Sequence, residues 1–219
     1  MGDISVSSAK AIPQNLGIET LLKSPPLNPP VTKISHSLKS SDPTNAPTNS
    51  YFAYFSTADA TPQEIASQIV LSKPLKDFSF KEFRIEKRAA YKVSSGWAHR
   101  SGRYGVYYSV FYTETDRPNS FTASPEFKSS FRSYISSLSD DMIKSYKWQA
   151  LKDLNKFEKT PNGLLLSTWS QAPLAIRQPA YFYKVDRYIE SITREDLLNT
   201  WQDLISKPSI TIESRATPD

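Results

Sequence analysis

The residues best suited to ligand binding lie between Ser79 and Tyr104, where cationic and aromatic side chains are mixed. This segment holds seven Lys or Arg residues and two Glu residues, and its surplus of five positive charges equals the formal charge of the whole chain. Cations neutralise phosphates, and flat aromatic rings stack on unpaired bases. We therefore expect this segment to bind single-stranded nucleic acid, RNA more than DNA. The residues expected to make these contacts are Arg84, Arg88, Lys92, Trp97, His99, Arg100, Arg103 and Tyr104.

Two other interpretations of this basic segment stay open. Charged side chains on an exposed strand also prevent sheets from pairing edge to edge, so the cations can serve solubility alone. A basic face also suits an acidic membrane surface, in line with the isoelectric point of about 9.2. Neither alternative requires Trp97 to be exposed, whereas stacking on bases does.

Patterns that indicate catalysis or metal binding do not stand out. The chain has no Cys and two His, His36 and His99, so a Ser–His–acid triad would have to use His99. The glycine pair Gly102 and Gly105 is not followed by a helix pattern, which argues against a phosphate-binding loop. The adjacent Asp140 and Asp141 fit a helix start better than a metal site. We expect no enzyme activity, no catalytic or metal-binding residues and no cofactor.

The chain divides by composition into an arm, a body and a tail. Residues 1–50 contain seven Pro and no aromatic residue, and we expect a disordered Pro/Ser-rich N-terminal arm. Within it, residues 15–34 combine a short apolar stretch with "SPPLNPP", a polyproline II pattern suited to docking on a partner protein. Residues 51–208 form one expected domain, and residues 209–219 form a flexible C-terminal tail.

The first half of the expected domain reads mainly as strands. A strand is predicted from Tyr51, followed by a helix whose capping box consists of Thr61 and Glu64 and which ends before Pro74. Residues 78–93 alternate as a long strand, with Ile85 and Tyr91 among its inward side chains. A loop over 94–103 and a strand over 104–113 complete a hairpin whose second strand lies centrally in its sheet.

The second half reads mainly as helices. Helices are predicted to start near Ser124 and Ser139, and another starts at Thr193 and ends at Pro208. Between them, "YFYKVDRYI" at 181–189 favours a strand because it is rich in aromatic and β-branched residues. The expected fold class is α+β, a small antiparallel sheet packed with several helices and preceded by the disordered arm.

A mobile arm, a basic aromatic body and no active site are together typical of proteins that package nucleic acid. We expect a non-enzymatic nucleic-acid-binding structural protein, of the viral coat, nucleocapsid or movement type, which self-associates as a homo-oligomer. The alternative is an adaptor or accessory protein that recruits a partner through its Pro-rich arm. No apolar run approaches the roughly 20 residues of a transmembrane helix. The expected location is cytoplasmic, meaning the host cytoplasm or the virion for a viral protein.

Overall fold

A five-stranded sheet forms one layer of the protein in a computed structural model. The strands are β1 (Ile34–Lys39), β2 (Asn49–Phe55), β3 (Ala90–Arg100), β4 (Arg103–Tyr112) and β5 (Ser209–Arg215), in the order β1-β5-β2-β4-β3. β1 and β5 run parallel, and the other neighbouring pairs are antiparallel. The structure describes residues 34–39, 49–55, 60–100, 103–112, 125–158, 182–207 and 209–215.

The helices of the described residues form the second layer. They are α1 (Pro62–Phe80), which continues into a π-helical turn (Lys81–Glu86), α2 (Pro125–Ser137), α3 (Asp140–Glu158), α4 (Phe182–Ser191) and α5 (Arg194–Ser206). The prediction of an α+β fold with a small sheet and several helices is confirmed. A hairpin is present as β3 and β4, and β4 lies between two other strands, but the predicted loop over 94–103 is wrong because residues 94–100 belong to β3.

Helix α1 lies at the centre of the protein. It contacts β3 and β4 on one side and α3, α4 and α5 on others, so it is buried nearly all round. Its start follows the predicted capping box: Thr61 Oγ1 accepts from the Glu64 amide at 3.2 Å, and Glu64 Oε2 accepts from the Thr61 amide at 2.6 Å. A helix that is apolar on several faces cannot remain in water, so its position in the core follows from its composition.

Aromatic side chains fill the space between α1, α2 and the sheet. Phe127 lies 4.6 Å from the Tyr108 ring and 5.3 Å from the Phe78 ring, measured between centroids. Trp201 of α5 meets Phe131 edge-on at 4.8 Å, and both side chains are fully buried. These tilted and edge-on contacts are the favoured geometries of aromatic pairs and connect α5 to the core.

Two predicted boundaries in the first half are wrong. Helix α1 does not end before Pro74 but continues to Phe80, and the predicted strand at 78–93 is helical until Glu86. A proline inside a helix costs about 3 kcal/mol. Burial of Leu75 and Phe78 beyond the proline stabilises the helix by roughly 1.5–3 kcal/mol for each side chain, which is enough to offset that cost.

The predicted strand at 181–189 is also wrong, because residues 182–191 form α4. Val185, Ile189 and Ile192 are buried at a spacing of four and three residues, while Asp186 and Glu190 are exposed. That spacing places the apolar residues on one helical face. Position in the core therefore outweighs the strand preference of the aromatic and β-branched residues here.

Two strands lie in segments that the sequence indicated were unstructured. β1 falls within the predicted arm and β5 within the predicted tail. Ile34 of β1 pairs with Ile210 of β5, and Tyr51 of β2 pairs with Ile212 on the other side of β5. β5 therefore lies between β1 and β2 and joins β1 to the rest of the sheet. Asn49 and Ser50 at the end of the predicted arm belong to β2, and its other residues, including nearly all of 15–34, lie outside the described residues.

A polar network connects three helices beneath this core. The Tyr146 hydroxyl donates to Asp77 Oδ2 at 2.9 Å and lies 3.1 Å from the Tyr134 hydroxyl. Burial raises the pKa of Tyr146 well above its usual value of 10, and the hydrogen bonds with Tyr134 and Asp77 raise it further. The phenol of Tyr146 therefore stays protonated in the folded protein under alkaline conditions that ionise it in the unfolded chain.

We expect this network to make the protein lose stability above pH 10. Since the unfolded chain releases the Tyr146 proton there and the folded chain keeps it, the free energy of unfolding falls by up to about 1.4 kcal/mol per pH unit. Urea unfolding from pH 8 upward measures this slope, and Tyr146→Phe should reduce it. The control is Tyr188→Phe, since Tyr188 is exposed. An equal slope in wild type and Tyr146→Phe would contradict the prediction.

Candidate functional site

Three departures from regular backbone geometry follow one another between residues 81 and 92. The π-helical turn spans Lys81–Glu86, and Arg88 then adopts a left-handed conformation with φ of 48°. The pairing of β3 with β4 shifts register between Ala90 and Lys92, which leaves Tyr91 as the extra residue of a β-bulge. Each of these features is over-represented at functional sites, because it turns a side chain away from the direction that regular structure would give.

Packing beneath the π-helical turn determines which of its side chains reach solvent. Phe83 is fully buried and stacks on Phe127 with centroids 5.3 Å apart. The Lys87 amide donates to the Glu82 carbonyl at 3.0 Å, the five-residue spacing of a π-helix. With Phe83 directed into the core, the next two side chains, Arg84 and Ile85, are exposed.

Arg84 holds the bulge at Tyr91. Its Nη1 donates to the carbonyl oxygens of Ala90 at 2.7 Å and of Tyr91 at 2.5 Å. Its guanidinium carbon lies 5.8 Å from the centroid of the Tyr91 ring, and Tyr91 is 73% exposed. The arginine therefore stabilises the backbone of the bulge and lies beside an aromatic ring that is open to solvent.

Two ion pairs use the carboxylates of this region. Lys81 Nζ lies 3.2 Å from Glu86 Oε1, and Lys87 Nζ lies 2.5 Å from Glu82 Oε1. Both pairs are five residues apart in sequence, so they match the π-helical spacing rather than the four-residue spacing of an α-helix. We refer to this surface as the Arg84–Tyr91 site, which consists of Phe80, Arg84, Ile85, Arg88, Tyr91 and Lys92.

The site offers binding groups rather than reactive ones. Arg84 and Tyr91 supply hydrogen-bond donors, and the exposed rings and aliphatic groups supply apolar contact. Of the residues that the structure describes, no three His, Cys, Asp or Glu side chains are grouped so as to hold a metal ion. The site therefore offers hydrogen bonds and apolar contact to a ligand.

The two histidines do not fit a shared metal site. His36 belongs to β1 and His99 to β3, which lie at opposite ends of the strand order. Four strand spacings separate them, about 19 Å. A zinc ion needs its ligand nitrogens within about 2.1 Å, so one ion cannot bind both residues.

The predicted nucleic-acid-binding residues whose side chains the structure describes are Arg84, Arg88, Lys92 and Trp97, and Trp97 lies apart from the other three. Lys92 lies over the Phe111 ring at 5.8 Å, whereas Trp97 packs against the core from the opposite face of the sheet. Lys92 and Arg100 are separated by about 26 Å along β3. Near the tip of the hairpin the backbone pairs are His99 with Tyr104 and Arg100 with Arg103, and those four side chains lie outside the described residues.

Sequence reasoning missed the exposure of Tyr91, which it placed on the inward face together with Ile85. Ile85 is 57% exposed and Tyr91 is 73% exposed. The error comes from assuming one continuous strand, because Ile85 belongs to a helical turn and a one-residue bulge at Tyr91 changes which side chains face the core. The two Lys–Glu pairs at five-residue spacing were the available signal of a π-helical turn.

We expect Arg88→Gly to stabilise the protein. A left-handed conformation costs an L-residue roughly 1–2 kcal/mol, whereas glycine adopts it freely. Allowing for the greater freedom of glycine in the unfolded chain, the net gain is about 0.5–1 kcal/mol in urea unfolding. Arg132→Gly in the exposed face of α2 is the control and should destabilise by about 1 kcal/mol. A loss of stability in Arg88→Gly would contradict the prediction.

No protein-family model and no curated protein matches the chain. Several solved structures resemble it in fold. The periplasmic protease PqqL from Escherichia coli matches with a TM-score of 0.64 at 15% identity, over 87% of this chain and 21% of PqqL. Pitrilysin matches with a TM-score of 0.66 at 12% identity, over 95% of this chain and 22% of pitrilysin.

A third similar structure contains a bound protein. The ferredoxin protease FusC, in complex with Arabidopsis ferredoxin, matches with a TM-score of 0.58 at 14% identity, over 83% of this chain and 20% of FusC. The chain thus spans about a fifth of the length of each of these three proteins. At such identities the likeness establishes the fold, which recurs within larger proteases.

These comparisons overturn the predicted function. The expectation of a non-enzymatic, nucleic-acid-binding structural protein of viral type is wrong, because the similar structures are proteases. The same similarity contradicts the alternative of an adaptor or accessory protein. The predicted capsid and virion association has no support in the fold. None of the helices within the described ranges has the length and apolar character needed to cross a bilayer. The fold of this chain is that of a segment found in proteases several times its length.

Proposed function

We propose that this chain acts as one domain of a protease and holds substrate peptide at the Arg84–Tyr91 site. The observation that carries the proposal is the similarity of 83–95% of the chain to parts of PqqL, FusC and pitrilysin. The similar proteins are of the M16 zinc-protease type. A protein substrate is compatible with this role, since FusC is in complex with ferredoxin.

The zinc ion of such a protease would be held outside this chain. The chain has no Cys, and its two His lie on opposite edge strands of the described sheet. The residues therefore do not fit a zinc site, and no catalytic step is assigned to them. Proteolysis then requires a second, zinc-binding unit, and the contribution of this chain is to bind and orient the peptide.

The geometry of the site supports peptide binding. Arg84 presents further N–H donors beside the Tyr91 ring, and two more large apolar side chains, Phe80 and Ile85, are exposed within the same twelve residues. Backbone carbonyls of an extended peptide accept hydrogen bonds from such donors, while its side chains cover the apolar groups. Self-association, a partner for residues 15–34 and a cytoplasmic location all stay predictions.

Peptide-binding measurements on the full chain test the proposal. We expect a fluorescently labelled, unstructured peptide to bind saturably, and Arg84→Ala and Tyr91→Ala each to weaken binding at least about tenfold. Arg84→Lys should restore only part of the affinity, since a single ammonium cannot replace the guanidinium fork. Trp148→Ala is the control, because Trp148 is also exposed, at 60%, but lies on α3. Absence of binding, or equal loss in the control, would reject this function.

A metal measurement tests the assignment of zinc to another unit. After incubation with zinc and dialysis, the purified chain should retain much less than one zinc per molecule by elemental analysis. Hydrolysis of the peptide should appear only when a zinc-binding unit is supplied. Stoichiometric zinc on this chain alone would contradict the assignment.

A further inference from the structure

We infer that the Arg84–Tyr91 site selects peptide segments in which a carboxylate lies beside an apolar side chain. This inference rests on the proposed function, because it states which peptides the same site prefers. Two independent observations support it. The first is the concentration of exposed apolar side chains at the site, and the second is the excess of positive charge that remains after its ion pairs form.

Exposed apolar surface is concentrated at this site. Within the described ranges, six large hydrophobic side chains are exposed, and three of them, Phe80, Ile85 and Tyr91, lie within twelve residues of sequence. Their exposed fractions are 48%, 57% and 73%. Exposed apolar groups gathered in one short segment favour an interaction surface, whereas single scattered ones do not.

The charges at the site are unbalanced after its ion pairs form. Residues 81–92 contain five cations and two carboxylates. Both carboxylates are used, Glu86 by Lys81 and Glu82 by Lys87. Three cations remain that no carboxylate pairs with in the described part of the chain, namely Arg84, Arg88 and Lys92. A ligand that supplies negative charge would complete this arrangement.

The chemistry of Arg84 favours a carboxylate as that charge. A guanidinium carries five N–H donors, and Arg84 uses Nη1 on the carbonyls of Ala90 and Tyr91. The donors on Nη2 and Nε have the fork geometry that matches the two oxygens of a carboxylate. The backbone contacts hold the guanidinium in place beforehand, so a carboxylate binds without first having to order it. Ile85 and the Tyr91 ring then cover a neighbouring apolar side chain.

The carboxylate could belong to a side chain or to the C-terminus of a peptide, and three labelled peptides separate these sources. The first has Glu next to Leu and an amidated C-terminus. The second has Gln in place of Glu and is also amidated, and the third has Gln and a free C-terminal carboxylate. We expect the Glu peptide to bind the full chain about tenfold more tightly than the amidated Gln peptide in fluorescence anisotropy.

Each outcome of this measurement decides the matter. Tighter binding of either carboxylate peptide supports the inference and identifies the source of the charge. Equal binding of all three overturns the inference but leaves the proposed function intact, because peptides still bind. No binding of any peptide rejects both. Tighter binding of a single-stranded oligonucleotide of equal charge would also overturn the inference, since the surface would then respond to charge alone.

Variants locate the preference on the surface. Arg88→Gln and Lys92→Gln should each reduce the advantage of the Glu peptide over the amidated Gln peptide several-fold. Arg132→Gln is the matched control, because Arg132 is an exposed arginine of α2. Should a variant fail to fold, the salt dependence of the wild type is the second measurement. The advantage should shrink as salt is raised, and an unchanged advantage would contradict the inference.

Discussion

Replacement of Trp201 by alanine is expected to destabilise the protein by about 3–5 kcal/mol. Trp201 is fully buried, lies edge-on to Phe131 at 4.8 Å, and donates from Nε1 to the Lys128 carbonyl at 3.1 Å. The substitution removes a large apolar side chain, leaves a cavity between α2 and α5, and breaks the partly buried hydrogen bond to Lys128. Since small domains are stable by only about 5–15 kcal/mol, this is a large share of the total.

The same substitution at an exposed position tests whether the loss of stability comes from burial of the side chain or from the removal of any tryptophan. Trp148 is 60% exposed on α3, and Trp148→Ala should change the free energy of unfolding by no more than about 0.5 kcal/mol. Urea unfolding followed by circular dichroism measures both variants. Similar losses in Trp201→Ala and Trp148→Ala would show that Trp201 does not occupy the core position described here.

Phe83→Ala should have the second largest effect, again about 3–5 kcal/mol. Phe83 is the buried side chain of the π-helical turn and stacks on Phe127. Its loss removes the contact that directs Arg84 and Ile85 outward. We therefore expect the variant to lose peptide binding as well as stability, under conditions where most of the protein is still folded.

The neighbouring Ile85 provides the control for Phe83. Ile85 is 57% exposed, so Ile85→Ala should leave stability within about 0.5 kcal/mol of wild type. Its effect on peptide binding should be modest and confined to peptides with a large apolar side chain. If Phe83→Ala bound peptide normally while folded, the π-helical turn would not be needed to shape the site.

Local signals predicted much of the fold. The capping box of Thr61 and Glu64 identifies the start of α1, and Thr193 with Asp196 forms a second capping box at α5. These motifs are reliable because they satisfy backbone amides that have no partner within the helix. The second strand of the hairpin was also predictable, since β4 carries apolar side chains on both faces, which is typical of a central strand.

The features that sequence reasoning missed depend on distant contacts. α4 resembles a strand until its buried residues are known, and β1 and β5 are short segments stabilised by a sheet formed elsewhere in the chain. The Arg84–Tyr91 site was missed in part for the same reason. Arg84 and Arg88 were noted for their charge, but Tyr91 lies in a β-bulge that the residue pattern does not indicate.

The position of β5 bears on how the protein is made in the cell. β5 comes last in the described chain yet lies between β1 and β2, which were synthesised first. While the chain is still emerging from the ribosome, those two early strands have no neighbour between them, and their unpaired edges are open to other chains. Completion of the sheet must therefore wait until translation has passed Arg215. Until then, a chaperone that binds unpaired strand edges would bind at β1 and β2.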